Sequence, residues 1–194
     1  MSTDFITVVS GLPRSGTSLM MQMIHACGME VVADGQRTAD EDNPKGYLEF
    51  EAVKKLKEDS SWVADAGGKA VKAISMLLFD LPPTQHYRVI FMVRHMDEIL
   101  ASQKEMLKRR GTLNDRGPSD DDMRKFFQSH LDKVKSWLAD QPNFKVLYVD
   151  YNAIMNGDDK GIRDVCEFLG PVVNIEAMTK AIDSGLYRNR KASA

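Results

Sequence analysis

The sequence predicts an α/β fold in which a central, mainly parallel sheet is flanked by helices as a three-layer sandwich. Three observations carry that expectation. Short runs rich in β-branched and aromatic residues alternate with helical patterns. Those runs are apolar almost throughout, and the first of them leads through a glycine-bracketed loop into a helix. Continuous apolar character marks strands covered on both faces, as in parallel sheets, and the alternation calls for right-handed crossovers.

Residues 5–10 (FITVVS) form the first expected strand. The helix after its loop is expected over 17–27, with Leu19, Met20, Met23 and Ile24 at helical spacing. Residues 70–74 (AVKAI) are a weaker strand pattern, and residues 87–93 (YRVIFMV) a strong one. The spacing of Ile99, Leu100, Met106 and Leu107 predicts a helix over 97–110. Lys108, Arg109 and Arg110 crowd its last turn before Gly111, where cations complement the negative end of the helix dipole. Ser119 caps a long helix expected over 120–139, with Asp122 three residues on as capping-box partner. A strand over 144–149 (FKVLYV) precedes shorter helices over 159–169 and 175–182. Two polar loops, 28–47 and 111–118, stand out, since long loops in compact folds are more often functional than idle.

A chain of 194 residues is long enough to bury a core as one domain, expected over residues 1–194. Hydrophobic residues at 43% and charged residues at 28% fit a globular protein. The net charge of -2 argues against nucleic acid or an anionic membrane surface as partner, yet leaves room for a local basic pocket. The N-terminus lacks the basic start and long apolar core of a secretory signal, and no stretch approaches the ~20 apolar residues of a membrane span. A cytoplasmic location is expected. Cys27 and Cys166 form no metal-like pair and read as isolated buried thiols. His25 and His95 read as helix or loop residues, and His86 and His130 sit in polar contexts with no partner visible.

The stretch SGLPRSGTSLMMQMI, residues 10–24, carries most of the functional signal. Gly11 and Gly16 stand at the spacing of the phosphate-loop pattern G-x-x-x-x-G-K-[ST], and Ser18 closes it, but Thr17 occupies the lysine position. Strand, loop and helix in that order is the context such a match requires. Backbone N–H groups around residues 15–19 are expected to face an anion at the helix mouth. Pro13 stiffens the turn, Arg14 offers a planar cationic fork, and the hydroxyls of Ser15, Thr17 and Ser18 add donors. The bland alternative is a tight strand-to-helix turn. The fold class becomes P-loop NTPase-like. A Walker lysine serves the β- and γ-phosphates of a nucleoside triphosphate, so its absence favours a ligand with one phosphate in the loop. The one Walker-B-like candidate, LYVD ending at Asp150, comes late in the chain.

A second basic element follows the strand over 87–93. Arg94 stands at the strand end, where α/β sheets bind ligands, and Ser102 comes eight residues later. Read alone, Arg94 is a surface cation and Ser102 a small residue on a packed helix. Together with PRSGTS they resemble the sulfotransferase family that uses 3′-phosphoadenosine-5′-phosphosulfate. The resemblance implies that Pro13, Arg14, Ser15, Gly16, Thr17 and Ser18 cradle the 5′-phosphosulfate and that Arg94 and Ser102 grip the 3′-phosphate. LYVDYNAIMNGD is similar to the family's strand ending in Tyr and followed by a turn, which puts Tyr151 near the adenine, and VCEFLG resembles the family's following helix. The product would be adenosine 3′,5′-bisphosphate, with no metal required. Sulfuryl transfer moves a group less charged than a phosphoryl group, so positioning and side-chain cations suffice. Arg14 would neutralise the charge growing on the bridging oxygen.

An acceptor that loses a proton as it attacks needs a base within reach. Many family members place a His two residues after a strand Lys; here Lys72 is followed at that distance by Ile74. Lys72 can still contact the bridging oxygen. Other branches use a Glu after the first helix, and DNPKGYLEFE offers Glu49, with Glu51 in reserve. Residues 43–46 read as a turn, with 47–50 extended or starting a helix. The basic C-terminal run LYRNRKASA brings Arg188 and Arg190, either folded over the 3′-phosphate or in a frayed tail. Trp62 reads as a core residue rather than an adenine platform. The chain is short for the family, and loops 28–47 and 111–118 are the natural walls of an acceptor pocket for a small molecule, glycan or peptide. A P-loop nucleotide kinase and a nucleotide-binding module without catalysis are the rival readings.

Overall fold

The computed structural model describes residues 5–41, 43–114, 117–170 and 174–188. Four parallel strands form the sheet: β1 (Ile6–Gly11), β2 (Ala70–Lys72), β3 (Tyr87–Val93) and β4 (Phe144–Asp150), in the order β2-β1-β3-β4. Register follows the apolar runs: Val8 pairs with Val71 on one side and with Val89 on the other, and Ile90 pairs with Leu147. All six residues of β1 are buried, as expected of a strand covered on both faces.

Side chains alternate across the pleat and divide the core in two. Val9, Ile90 and Met92 face one cluster, built with α1 (Thr17–Ala26), α4 (Tyr151–Met155), α5 (Lys160–Leu169) and α6 (Ile175–Ala181). Val8, Val89 and Phe91 face the other, closed by α3 (Asp120–Asp140) and three 3-10 stretches, Glu51–Lys55, Ser61–Ala66 and Ser75–Asp80. A smaller cluster of Leu12, Ile99, Leu100 and Phe127 seats α2 (Met96–Arg109) against α3. The layers are helix, sheet, helix, as the sequence predicts.

The strand order locates the site. The chain leaves β1 to build β2 on one side, then returns to build β3 on the other. The crevice beyond the carboxyl ends of β1 and β3 is thus a topological switch point, where open α/β sheets bind ligands.

Several expectations are met closely. Ser119 and Asp122 make a reciprocal capping box on α3, and residues 43–46 form a turn closed by Gly46 N–H to Asn43 C=O at 3.0 Å. Others are corrected. β2 is three residues long, and α4 was not foreseen. α4 forms because the Asp150 carboxylate, at the end of β4, accepts from Asn152 N–H at 2.7 Å and Ala153 N–H at 3.1 Å. The two cysteines are not isolated buried thiols: each is partly exposed and both pack at one cluster, with the Cys166 thiol 3.6 Å from Met178 Sδ. His130 does have a partner, the buried Ser75 hydroxyl at 2.8 Å, brought to it by the packing of α3 on the 3-10 stretch Ser75–Asp80. Among the described residues, no helix is long and apolar enough to cross a membrane.

Candidate functional site

The loop between β1 and α1 needs its glycines for close approach. Gly11 (φ 145°) leaves no room for a Cβ, which would lie 2.7 Å from Met92 C=O; Gly16 (φ 100°) faces the Tyr151 ring where a Cβ would stand. Arg14, at φ 71°, holds a left-handed conformation unusual for a residue with a side chain, a strain of about 1–3 kcal/mol that surrounding contacts must offset. They do so from two directions: Arg14 Nε donates to Ser102 Oγ at 2.9 Å, and Arg94 NH1 donates to Arg14 C=O at 3.0 Å. Ser15 departs from expectation, since its N–H is used inside the loop on Leu12 C=O at 3.1 Å. The helical ladder opens with Met20 N–H on Gly16 C=O. Donors facing the mouth therefore begin after Ser15, with the first turn of α1.

The end of β3 supplies the second group. The Arg94 side chain is 7% exposed, and its Nε donates to Glu98 Oε2 at 2.9 Å, in the first turn of α2. Glu98 Oε1 accepts from the Tyr187 hydroxyl at 2.9 Å, and that hydroxyl accepts from Asn152 Nδ2 at 2.7 Å. Arg94 lies over the Tyr151 ring, 4.5 Å from its centroid. Burial raises the Tyr151 phenol, against the opposing pull of Arg94.

The end of β2 supplies the third. Lys72 Nζ donates to Glu49 Oε1 at 2.7 Å and to Ser18 Oγ at 3.0 Å, tying β2 to the first turn of α1. Glu49 Oε2 accepts from Arg37 NH1 at 2.9 Å. Arg37 comes from the long loop and lies 3.4 Å from the Tyr47 ring centroid. Tyr47 in turn donates to Asp40 Oδ1 at 2.6 Å, and burial first, then that bond, push its phenol up to about 12. Burial raises the Glu49 carboxyl, but Lys72 and Arg37 outweigh it and hold the group below its ordinary value. Burial lowers the Lys72 ammonium, only partly countered by Glu49. Glu51, the reserve carboxylate, pairs with Lys54 at 2.7 Å and does not line the cleft.

These three groups meet around one cleft of about 670 Å³. Pro13, Arg14, Gly16, Thr17 and Ser18 line it, as do Glu49, Lys72, Arg94, Ser102, Tyr151 and Arg188. Ser15 does not: its side chain is buried behind the loop. Eight Lys and Arg side chains line the cleft against three carboxylates, so its field favours an anion. Arg188 NH1 also donates to Glu41 C=O at 2.8 Å, joining the C-terminal segment to the long loop. Arg190 lies outside the described residues. Trp62 is partly buried and packs edge-on against Phe50 at 5.2 Å, at the margin of the core. Sequence reasoning missed Arg37, Glu98 and Tyr187. Glu98 carried a readable signal, four residues after Arg94 in the first turn of the helix that follows it; Arg37 and Tyr187 reach the site from loops and carried none.

The family model described as "Sulfotransferase domain" matches residues 4–193. Sulfotransferase 2B1 of Mus musculus is 25% identical over 112 residues, 55% of this chain and 33% of the relative. The Homo sapiens protein of the same name is 26% identical over 112 residues, 55% of this chain and 31% of the relative. The chain thus spans about a third of the length of these curated relatives. Among solved structures, mouse sulfotransferase SULT7A1 complexed with PAP superposes with a TM-score of 0.53 at 19% identity, over 93% of this chain and 63% of that one. The sulfotransferase domain from the curacin biosynthetic pathway gives 0.50 at 12% identity, over 100% of this chain and 94% of that one. Identities this low bear on the fold alone, whereas the family model spans nearly every residue. The chain belongs to the sulfotransferase domain family.

Proposed function

We propose that the protein, acting as a single sulfotransferase-like domain, moves a sulfuryl group from 3′-phosphoadenosine-5′-phosphosulfate to a hydroxyl or amine of an acceptor. The observation that carries this reading is the convergence of the Arg14 loop, the Arg94–Ser102 pair and the Lys72–Glu49 pair on one basic cleft. When bound, the donor supplies the sulfuryl group: its bond to the phosphate oxygen breaks as the acceptor's bond to sulfur forms, leaving adenosine 3′,5′-bisphosphate.

In this reading Pro13, Arg14, Gly16, Thr17 and Ser18 hold the 5′ end, with Ser15 bracing the loop from behind. Arg94, Ser102 and Arg188 serve the 3′-phosphate, and Tyr151 flanks the adenine. Arg14 and Lys72 stabilise charge developing on the bridging oxygen, each charge-assisted contact contributing about 1.5–3 kcal/mol. Glu49 accepts the acceptor's proton. Its two ion pairs hold it ionised but weakly basic. As Lys72 turns from Glu49 toward the sulfuryl group, the nearest charge depressing that carboxyl is withdrawn, and the base strengthens as the acceptor is engaged. The apolar wall of Phe50, Val53, Ile74 and Leu77 beside Lys72 suits the body of a small-molecule acceptor or a glycan or peptide aglycone.

Titration calorimetry with adenosine 3′,5′-bisphosphate against ATP-Mg tests the donor: tight ATP-Mg binding without bisphosphate binding would replace the reading with a P-loop kinase. Incubation with labelled donor and a pooled acceptor library tests the chemistry. The double ion pair on Glu49 favours one second reading, a nucleotide-binding module without catalysis, and bisphosphate binding without any transfer would select it.

A further inference from the structure

The ion pair between Arg94 and Glu98 is not closed on itself. Each Glu98 oxygen has a separate partner: Oε2 accepts from Arg94 Nε and Oε1 from the Tyr187 hydroxyl, both at 2.9 Å. The Tyr187 oxygen is held in turn by Asn152 Nδ2 at 2.7 Å, and Asn152 Oδ1 accepts from the His95 backbone N–H at 3.0 Å. Glu98, Asn152 and Tyr187 are 3%, 6% and 6% exposed, so water does not substitute for a lost partner. The network joins three separate parts of the chain: the start of α2, the first turn of α4 and the C-terminal segment after α6.

We infer that Tyr187 is a positioning residue that docks the C-terminal segment onto Glu98 and thereby sets the guanidinium of Arg94 for a ligand 3′-phosphate. The inference rests on the reading that Arg94 meets that phosphate. A guanidinium has five N–H donors in a rigid fork, so turning the carboxylate that holds Nε turns every other donor with it. Arg94 NH1 holds the carbonyl of the strained Arg14, which carries the same orientation into the loop. The ring of Tyr187 packs edge-on against Tyr151 at 5.6 Å, and its neighbour Arg188 lines the cleft. One anchor thus aligns two cations. Burial raises the Tyr187 phenol, which keeps the hydroxyl protonated and donating to Glu98.

The test compares adenosine 3′,5′-bisphosphate with adenosine 5′-phosphate by titration calorimetry on the full chain. NMR of the arginine Nε–H groups accompanies it, with the Arg94 signal assigned by its loss in Arg94→Lys. In the wild-type protein the bisphosphate is expected to bind more tightly and to shift the Arg94 signal, while the 5′-phosphate leaves that signal in place. Tyr187→Phe is expected to lower the preference for the 3′-phosphate about fivefold to tenfold, with affinity for the 5′-phosphate nearly unchanged, and to speed exchange of the Arg94 Nε–H. A defect of folding alone would weaken both ligands equally and would overturn the assignment. Glu98→Gln, which keeps the shape and removes the charge, is expected to lower the same preference. If the bisphosphate shifts the Arg94 signal but both variants keep the full preference, Tyr187 has no positioning role and the donor reading stands. If the bisphosphate leaves the Arg94 signal in place, the donor reading of Arg94 fails and takes the inference with it.

Discussion

Two cation–carboxylate pairs bring their cations, Arg94 and Lys72, to one cleft, and they are built differently. Arg94–Glu98 is sealed, with side chains 7% and 3% exposed, Glu98 accepting from the buried Tyr187 and Arg94 donating to the Arg14 carbonyl. Lys72–Glu49 has one partner on a strand and another on a loop, and Glu49 is shared with Arg37, whose side chain is 31% exposed. A sealed pair has no solvent to replace a partner, so it holds one geometry and suits a group that only binds. A shared pair leaves Glu49 a second cation, the part-exposed Arg37, when Lys72 changes partner, although Lys72 and Glu49 are themselves only 7% and 14% exposed, and so suits groups that must change partner during a reaction.

That contrast breaks most visibly if Arg94 is removed. Arg94→Ala leaves the Glu98 carboxylate buried without its cation, and unfolding stability should fall by about 3–5 kcal/mol in chemical denaturation. Glu49→Gln removes the charge from a pair whose Lys72 is buried but keeps a hydrogen-bonding side chain and should lower stability by a smaller amount, about 1–3 kcal/mol. Equal losses at the two positions would erase the distinction.

Lys72→Met should reverse the ranking for chemistry. It is expected to reduce the transfer rate about 10²-fold to 10³-fold, with bisphosphate affinity changed far less. A loss confined to binding would move Lys72 out of the transition state and into the donor cradle.

Arg37→Gln sharpens the comparison through pH. The Glu49 carboxyl is held low, so it is ionised above its depressed value and activity falls only as pH drops through that value. Removing the Arg37 charge raises the carboxyl, and the acid limb of the rate profile should move to higher pH, with Arg37→Lys restoring part of the shift. The same sign governs stability: the pair's contribution is complete above the unfolded carboxyl value and is lost as pH falls through the folded one. An unmoved acid limb would remove Glu49 as the base. The smallest effect serves as reference. Ser119→Ala, at the capping box of α3 and away from both pairs, should cost about 1 kcal/mol of stability and leave ligand preference unchanged, as thermal scans and calorimetry would register.

Most of the frame could be read before any coordinates. FITVV and VIFMV pointed to strands covered on both faces, Ser119 and Asp122 announced a capping box, and the two glycines of GLPRSGTS marked a strand-to-helix anion loop. The clustering of Pro13, Arg14, Gly16, Thr17, Ser18, Arg94 and Ser102 was legible because each stands at a strand end or on the helix after it. Arg37, Tyr187 and the hand-over of Ser102 to Arg14 were not legible, because loop residues have no periodicity to say which way they return.

Local order, then, was the sequence's own contribution: strand runs, caps and the backbone freedom of Gly11 and Gly16 follow from sterics and short-range hydrogen bonding. The tertiary structure decided which charge meets which. That Glu49 rather than Glu51 faces Lys72, that Ser15 turns inward, and that Tyr187 closes the pocket around Glu98 depend on contacts between residues up to 89 positions apart. Such contacts are selected by burial and the pairing of buried charge, which act only once the sheet has brought β1, β2 and β3 to one edge.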